Sequence, residues 1–138
     1  MVVTKKFELS TQGFCDFHNI TGQVAEAVKS SGLSNGIATV FTPSATSAIT
    51  TVEYESGMLQ DFKRLMEQIA PQQAHYQHNE RWHDGNGFSH VRAALLGPSV
   101  TVPFVEGKLT LGTWQEIAFI DFDNNRRHRQ LVVQIMGE

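Results

Sequence analysis

The chain has 138 residues, of which 41% are apolar and 18% are charged, and its formal net charge is −3. A chain of this size and composition buries a hydrophobic core and forms one globular domain, which excludes intrinsic disorder. The small negative charge argues against nonspecific binding to nucleic acid or to a membrane surface.

Cysteine content and hydropathy indicate the compartment. Cys15 is the only cysteine, so an intrachain disulfide and a zinc site built of cysteines are both excluded. No apolar run follows the lysines near the N-terminus, and none is long enough to cross a bilayer. We therefore expect a cytoplasmic protein with no membrane and no nucleic-acid partner.

The first third of the chain predicts strands around one helix. Residues 5–11 alternate between apolar and polar side chains, which indicates a half-buried strand, and residues 14–17 are predicted to pair with it through a turn. Thr21 is a suitable N-cap for a helix that ends near Gly32. Residues 36–42 are β-branched and apolar, which favours a central strand.

The middle of the chain predicts one strand and two helices. Residues 45–55 contain many threonines beside isoleucine and valine, so we expect one face of this strand to border a wet pocket. Ser89 is a suitable N-cap for a short helix that ends before Gly97. A longer amphipathic helix between Gly57 and Pro71 carries an apolar stripe that we assign to the core. The stripe consists of Met58, Leu59, Phe62, Leu65, Met66 and Ile69.

The last third of the chain predicts a β-meander. Alternating apolar residues indicate strands at 99–105, 109–111, 114–122 and 129–136, with a hairpin turn at Glu106-Gly107. Many strands and two or three helices that do not strictly alternate predict an α+β fold with a mainly antiparallel sheet.

Two histidines flank a glycine-rich segment. His78 and His90 lie on either side of the turn Gly85-Asn86-Gly87, which allows the two imidazoles to meet at one point. They would then act as catalytic acid and base at neutral pH, or bind zinc or a similar divalent metal with Asp84 or His83 as a further ligand. The alternative is that each is an ordinary exposed or hydrogen-bonded histidine.

Two sets of side chains are candidate anion ligands. Arg127 and Arg129 project to one face of a strand, where two guanidinium groups suit a phosphate. The alternative is that they pair with nearby aspartates at a solvated strand end. A plausible anion-binding turn after the strand at 36–42 contains the hydroxyls of Ser44, Thr46 and Ser47.

The segment Gly112-Thr113-Trp114-Gln115 combines a small residue, a hydroxyl, an indole and an amide. Such a set walls a pocket and orients a planar ligand, with Gln115 as the hydrogen-bonding group. The same four residues also suit a strand bulge with a buried tryptophan.

Taken in order along the chain, these motifs resemble one family. They are Thr42-Pro43 with Thr46-Ser47-Ala48, Tyr76-x-His78, Asp84-Gly85-Asn86-x-x-Ser89-His90, Leu96-Gly97-Pro98-Ser99, Leu111-Gly112-Thr113-Trp114-Gln115 and Gly137-Glu138. The Ser-His and Gly-Thr-Trp-Gln elements are the specific ones. On these motifs, residues 1–138 resemble a single domain of the small YjbQ-like proteins.

The resemblance implies an α+β sandwich and a homotrimer. It implies a weak ability to make thiamine phosphate from hydroxymethylpyrimidine pyrophosphate and thiazole phosphate, so the expected ligand is a small phosphorylated molecule. It also places His78 and His90 in a cleft that binds a divalent metal, zinc or magnesium, in some members. Two alternatives use the same cleft: a trimer that binds a small anion without catalysis, and a metal-assisted hydrolase.

Two positions depart from the family pattern. Ser44 stands where many members have a histidine, so we expect either that His83 replaces that histidine as a metal ligand or that the metal is lost. Glu116 stands where glycine is usual, which adds a carboxylate near the expected pocket.

Overall fold

Two antiparallel sheets and four helices make up the molecule. The computed structural model describes residues 1–138. In chain order the elements are β1 (Val2–Thr11), β2 (Asp16–Asn19), α1 (Thr21–Ser31), β3 (Gly36–Phe41), β4 (Ser47–Val52), α2 (Ser56–Ile69), α3 (Gln77–Trp82), α4 (Gly87–Leu96), β5 (Ser99–Val105), β6 (Lys108–Leu109), β7 (Glu116–Asp121) and β8 (Arg127–Gly137). This confirms the predicted α+β fold with mainly antiparallel sheets.

The two sheets pack as successive layers. The five-stranded sheet has the order β1-β8-β3-β5-β6, and the three-stranded sheet has the order β2-β7-β4. The main core of 15 buried residues joins α1 to both sheets, with Val24, Phe119 and Val133 as examples. Each such side chain, fully buried, contributes about 1.5–3 kcal/mol.

A second, smaller core lies on the other face of the three-stranded sheet. It contains Ile120 and Phe122 from the end of β7, Met66 from α2 and Ala93 from α4. The three-stranded sheet is therefore covered on both faces, which explains why residues 117–123 are all buried. Helix α4 lies on this outer layer, where it carries a candidate site.

The prediction that residues 14–17 pair with the first strand is wrong. Strand β2 pairs with β7 in the three-stranded sheet instead. Gly13, Phe14 and Cys15 all have positive φ angles, of 81°, 55° and 72°. This left-handed turn directs the chain from one sheet to the other, and a Cβ on Gly13 would lie 2.3 Å from the carbonyl oxygen of Asp123.

The helix starts also differ from the predictions. Thr21 is the first helical residue rather than the N-cap, and its Oγ1 accepts a hydrogen bond of 2.9 Å from the Ile117 amide. Asn86, not Ser89, occupies the N-cap of α4. Helix α2 has an unpredicted N-cap, Glu55, whose carboxylate accepts from the amides of residues 57 and 58.

The apolar stripe of α2 is only partly core. Met66 is buried, but the side chains of Leu65 and Ile69 are 48% and 52% exposed. The assignment of the whole stripe to the core is therefore wrong within a single chain. No helix combines the length and hydropathy needed to cross a membrane.

Candidate functional site

Helices α3 and α4 bring His78 and His90 together. The centroids of the two imidazole rings are 4.3 Å apart and the ring planes are inclined by 36°. His78 lies on α3, in a segment that the sequence predicted as loop. Six residues are too few to show a helical period, which is why this helix was missed.

Two contacts hold the helices at this spacing. The side-chain oxygen of Asn79 on α3 accepts a 2.8 Å hydrogen bond from the amide of Gly87, the first residue of α4. A Cβ on Gly87 would lie 2.5 Å from the Cβ of Tyr76, so any other residue there would push α4 away. The turn that was predicted to let the histidines meet does so, with Gly85 at a φ of 65°.

The electrostatic surroundings of the two imidazoles differ. Burial, and then the neighbouring His78, lower the pKa of His90 below its ordinary value of 6.5, although Asp84 and Asp123 oppose the shift. His90 is therefore neutral at pH 7. The Nδ1 atom of His78 is buried without a hydrogen-bond partner, and the nearest carboxylate oxygen is Asp84 Oδ1, at 3.5 Å.

A cleft of about 350 Å³ opens beside His90. Its polar groups are His90, Ser44 and Ser47, and small residues form the rest of the wall: Ala45, Ala93, Ala94, Gly97 and Pro98. Four larger clefts, of about 450, 700, 420 and 370 Å³, contain no histidine, although the two that flank α1 contain lysines and glutamates. The cleft beside His90 is therefore distinguished by its imidazole.

The predicted anion turn is partly committed to internal bonds. Ser44 Oγ accepts a 3.1 Å hydrogen bond from the Thr46 amide, and Ser47 Oγ lies 2.8 Å from Thr42 Oγ1. Thr46 is buried and donates through Oγ1 to Asp123 Oδ2 at 2.9 Å. Ser44 and Ser47 line the cleft, although Ser47 is 1% exposed, and Thr46 holds Asp123.

Both predicted arginines lie in ion pairs with aspartates. Arg129 donates from Nε to Asp121 Oδ2 at 2.8 Å and from a terminal nitrogen to Asp121 Oδ1 at 3.1 Å. Arg127 Nε is 3.3 Å from Asp123 Oδ2, and its side chain is 46% exposed. The two arginines share a face, as predicted, and neither lines the cleft.

Gln115 and Trp114 lie outside the histidine cleft. Gln115 donates to Thr51 Oγ1 at 3.1 Å and accepts from the Gly112 amide at 3.0 Å, in an exposed turn that precedes β7. Asp121 is at the other end of that six-residue strand, roughly 20 Å along the chain. Trp114 is 75% exposed rather than a core residue. Within one chain this segment does not wall the histidine cleft.

His78, His90 and Asp84 have the chemistry of zinc ligands. No group of three or more His, Cys, Asp or Glu residues is placed to hold an ion. His83 is exposed and ends α3 in a left-handed conformation with a φ of 55°. In place of the predicted three-histidine set, the structure brings together one pair.

Sequence reasoning missed the polar network behind the pair. Asn86 and Asp123 are 5% and 2% exposed and lie 37 positions apart in the chain, joined by a 3.4 Å hydrogen bond. Asp123 lies between two predicted strands, in a segment with no recognisable motif. The available sequence signal was the Asp84-Gly85-Asn86 pattern before a helix. This pattern does not indicate that Asp123 is the partner of Asn86.

Comparisons with known proteins agree with this fold. The family model described as UPF0047 protein YjbQ-like matches residues 5–138. A UPF0047 protein of Methanothermobacter thermautotrophicus is 41% identical over 137 residues, which cover 99% of this chain and 94% of that protein. One from Archaeoglobus fulgidus is 40% identical over 124 residues, covering 90% of this chain and 94% of that protein.

Solved structures give the same result. The crystal structure of a YbjQ-like protein of unknown function from Sulfolobus solfataricus P2 matches with a TM-score of 0.94 and 33% identity, covering 100% of this chain and 99% of that one. A YjbQ/UPF0047 family protein from Clostridium acetobutylicum matches with a TM-score of 0.87 and 36% identity, covering 96% and 99%. By its whole-length match in both sequence and fold, the chain belongs to the UPF0047 YjbQ-like family.

Proposed function

We propose that the cleft is an acid–base site in which His90 acts on a small phosphorylated substrate. The observation that carries the proposal is the 4.3 Å separation of the His78 and His90 rings, beside a cleft that His90, Ser44 and Ser47 line. Two imidazoles at this spacing, one with a lowered pKa, are typical of groups that transfer protons near neutral pH.

In this proposal the residues form a relay. His90 lines the cleft, and as a neutral imidazole it has one N–H donor and one free acceptor nitrogen. His78 is in contact with His90 and takes up or returns a proton. Asp84, whose Oδ1 is 3.5 Å from His78 Nδ1, favours the tautomer with the proton on that nitrogen. No step of this relay uses a metal.

The reaction that we propose is the one implied by the family resemblance. The ring nitrogen of thiazole phosphate forms a bond to the methylene carbon of hydroxymethylpyrimidine pyrophosphate, and the bond from that carbon to the pyrophosphate oxygen breaks. Pyrophosphate leaves with the electron pair, and the products are thiamine phosphate and pyrophosphate. An N–H of His90 that donates to the departing oxygen stabilises the charge that develops there.

The phosphate groups have a limited set of partners in one chain. Ser44 supplies a hydroxyl within the cleft, whereas Ser47 is 1% exposed and bonded to Thr42. Arg127, which is 46% exposed, is available to a phosphate, whereas Arg129 is 15% exposed and held by Asp121. Since Arg127 does not line the cleft, we propose it only for a phosphate group that extends beyond the cleft, and we assign a structural role to Arg129.

Self-association into a homotrimer is part of the same proposal. The exposed apolar side chains on α2 and α4 support it, because a second copy would remove them from water. They are Leu65, Ile69, Val91 and Leu95. Native mass spectrometry at micromolar concentration is expected to show three chains, and a monomer would contradict this part of the proposal.

The test is direct assay of thiamine phosphate from the two purified precursors. Replacing His90 by alanine is expected to lower the rate about 100-fold or more, since this is the contribution of a positioned acid or base. His75→Ala is the matched control, because His75 is an exposed histidine whose side chain is 66% accessible. Undiminished turnover by the His90 variant would refute the acid–base role.

A second outcome distinguishes the main alternative. If wild-type protein binds pyrophosphate in calorimetry but forms no thiamine phosphate, it is a binding protein for small anions rather than a transferase. The lining of the cleft favours this as the second candidate, because hydroxyls and a neutral imidazole can hold an anion without reacting with it.

A further inference from the structure

Asn86 is an N-cap residue whose side chain does not cap its helix. No backbone amide of α4 donates to the side chain of Asn86. Its Oδ1 accepts instead from the Asn124 amide at 3.2 Å and from the Ser89 hydroxyl, and its Nδ2 donates to Asp123 Oδ2 at 3.4 Å. A buried amide with both ends engaged joins the start of α4 to the turn after β7.

The partner of Asn86 is itself firmly held. Burial raises the pKa of the Asp123 carboxyl, but hydrogen bonds from Thr46 and Arg127 outweigh this, so the pKa lies below its ordinary value of 3.8. Its other oxygen accepts from the Asn125 amide at 3.0 Å. The nearest terminal nitrogen of Arg129 is 3.6 Å away. Asp123 is therefore a fixed, charged anchor at neutral pH.

Asn86 also contacts the carboxylate that faces His78 and the turn of α4 that carries His90. The backbone amide of Asn86 donates to Asp84 Oδ1 at 3.1 Å, and the same oxygen faces His78 Nδ1. Its carbonyl oxygen accepts from Ser89 Oγ at 2.7 Å and from the His90 amide at 3.5 Å. A displacement of Asn86 would therefore move the carboxylate beside one imidazole and the helical turn that carries the other.

We infer that Asn86, anchored by Asp123, sets the spacing of His78 and His90 and is thus a positioning residue of the site. The catalytic role of this spacing rests on the proposed function. The claim that Asn86 sets the distance between the two imidazoles rests on the contacts alone. The residue acts through its neighbours and does not itself line the cleft.

The test is the Asn86→Asp substitution, which preserves the size of the side chain and replaces the amide donor by a carboxylate. The backbone carbonyl of residue 86, which accepts from Ser89 and His90, is unchanged, so the start of α4 is retained. The new carboxylate faces Asp123 and repels it. The readout is the nuclear Overhauser effect between the ring protons of His78 and His90, which we expect to be lost in the variant.

A second substitution removes the repulsion between the two carboxylates. In Asn86→Asp/Asp123→Asn the new amide can donate to the new carboxylate, but Thr46 and Arg127 lose an acceptor, so we expect the ring-to-ring effect to return only in part. A general loss of stability would not be repaired in this way. Asn125→Ala is the control from the same turn, since its side chain contacts only Asn124. If the Asn86→Asp variant does not give the spectrum of a folded protein, the ring-to-ring effect is measured in Asn86→Ala instead.

An undiminished ring-to-ring effect in a folded Asn86 variant would overturn the inference. Thiamine phosphate formation is measured on the same samples and is expected to fall about tenfold or more, because small displacements of catalytic groups are costly. If wild-type protein shows no such activity, the proposed reaction fails while the nuclear Overhauser effect still decides the role of Asn86.

Discussion

The buried ion pair between Asp121 and Arg129 offers a quantitative test of the structure. Asp121 is fully buried and Arg129 is 15% exposed, and two hydrogen bonds of 2.8 and 3.1 Å join them. Replacing Arg129 by methionine keeps most of the side-chain volume but leaves the carboxylate buried without its cation. The loss of one partner from such a pair costs about 3–5 kcal/mol.

Urea unfolding monitored by circular dichroism measures this effect. A loss of about 4 kcal/mol moves the midpoint by roughly 2 M toward lower urea, if the slope is about 2 kcal/mol per M. The total stability of a domain is only about 5–15 kcal/mol, so the variant will be marginal at room temperature. Adding Asp121→Asn removes the unpaired charge and is expected to recover part of the loss.

The chain contains a matched control for this substitution. Arg64 pairs with Asp61 at 3.1 Å on the surface of α2, where both side chains are 68% exposed. Arg64→Met is expected to cost less than about 1 kcal/mol, because exposed ion pairs are screened by water. If Arg129→Met costs no more than Arg64→Met, the reasoning about the buried pair is refuted.

Three further predictions concern single titratable groups. Backbone hydrogen bonds from Met58 and Gly57 hold the pKa of Glu55 below its ordinary 4.5. The ionised cap therefore stabilises the fold above pH 4.5, and this stabilisation is lost as the pH falls through the lowered pKa. Glu55→Gln should flatten the acid limb of a plot of urea midpoint against pH, and an unchanged limb would contradict the cap. Burial raises the pKa of Cys15 to about 11, so a thiol reagent at pH 8 should label it only as fast as the protein unfolds. Immediate labelling of native protein would show that the thiol is accessible. Zinc titration should give the same isotherm for wild type and His83→Ala, because His83 is not placed with the histidine pair; weaker binding by the variant would restore it as a ligand.

The parts that could be predicted from sequence are those that depend on local periodicity. Alternation identified strands at both ends of the chain because side chains of a strand point to opposite faces every second residue. The approach of His78 to His90 was also predictable, because a turn of glycines between two polar segments brings their ends together. Longer helices such as α2 were visible through the spacing of their apolar residues.

The parts that could not be predicted depend on contacts between distant segments. The partner of β2 is chosen by a left-handed turn at Phe14 and Cys15, and non-glycine residues seldom adopt that conformation. The link between Asn86 and Asp123 leaves no periodic trace, since neither position belongs to a repeating pattern. Whether Leu65 faces a core or a partner is likewise decided by packing beyond its own helix.

The order of strands in the five-stranded sheet has a consequence for biosynthesis. Strand β8 lies between β1 and β3, so the amine of Met1 reaches the carbonyl oxygen of Gly137, 136 positions away in the chain. On the ribosome, β1 and β3 are made first and must wait with unpaired edges until β8 emerges. Exposed strand edges invite pairing with other chains, and long-range pairing is slow. The nascent protein is therefore vulnerable to aggregation until β8 is complete.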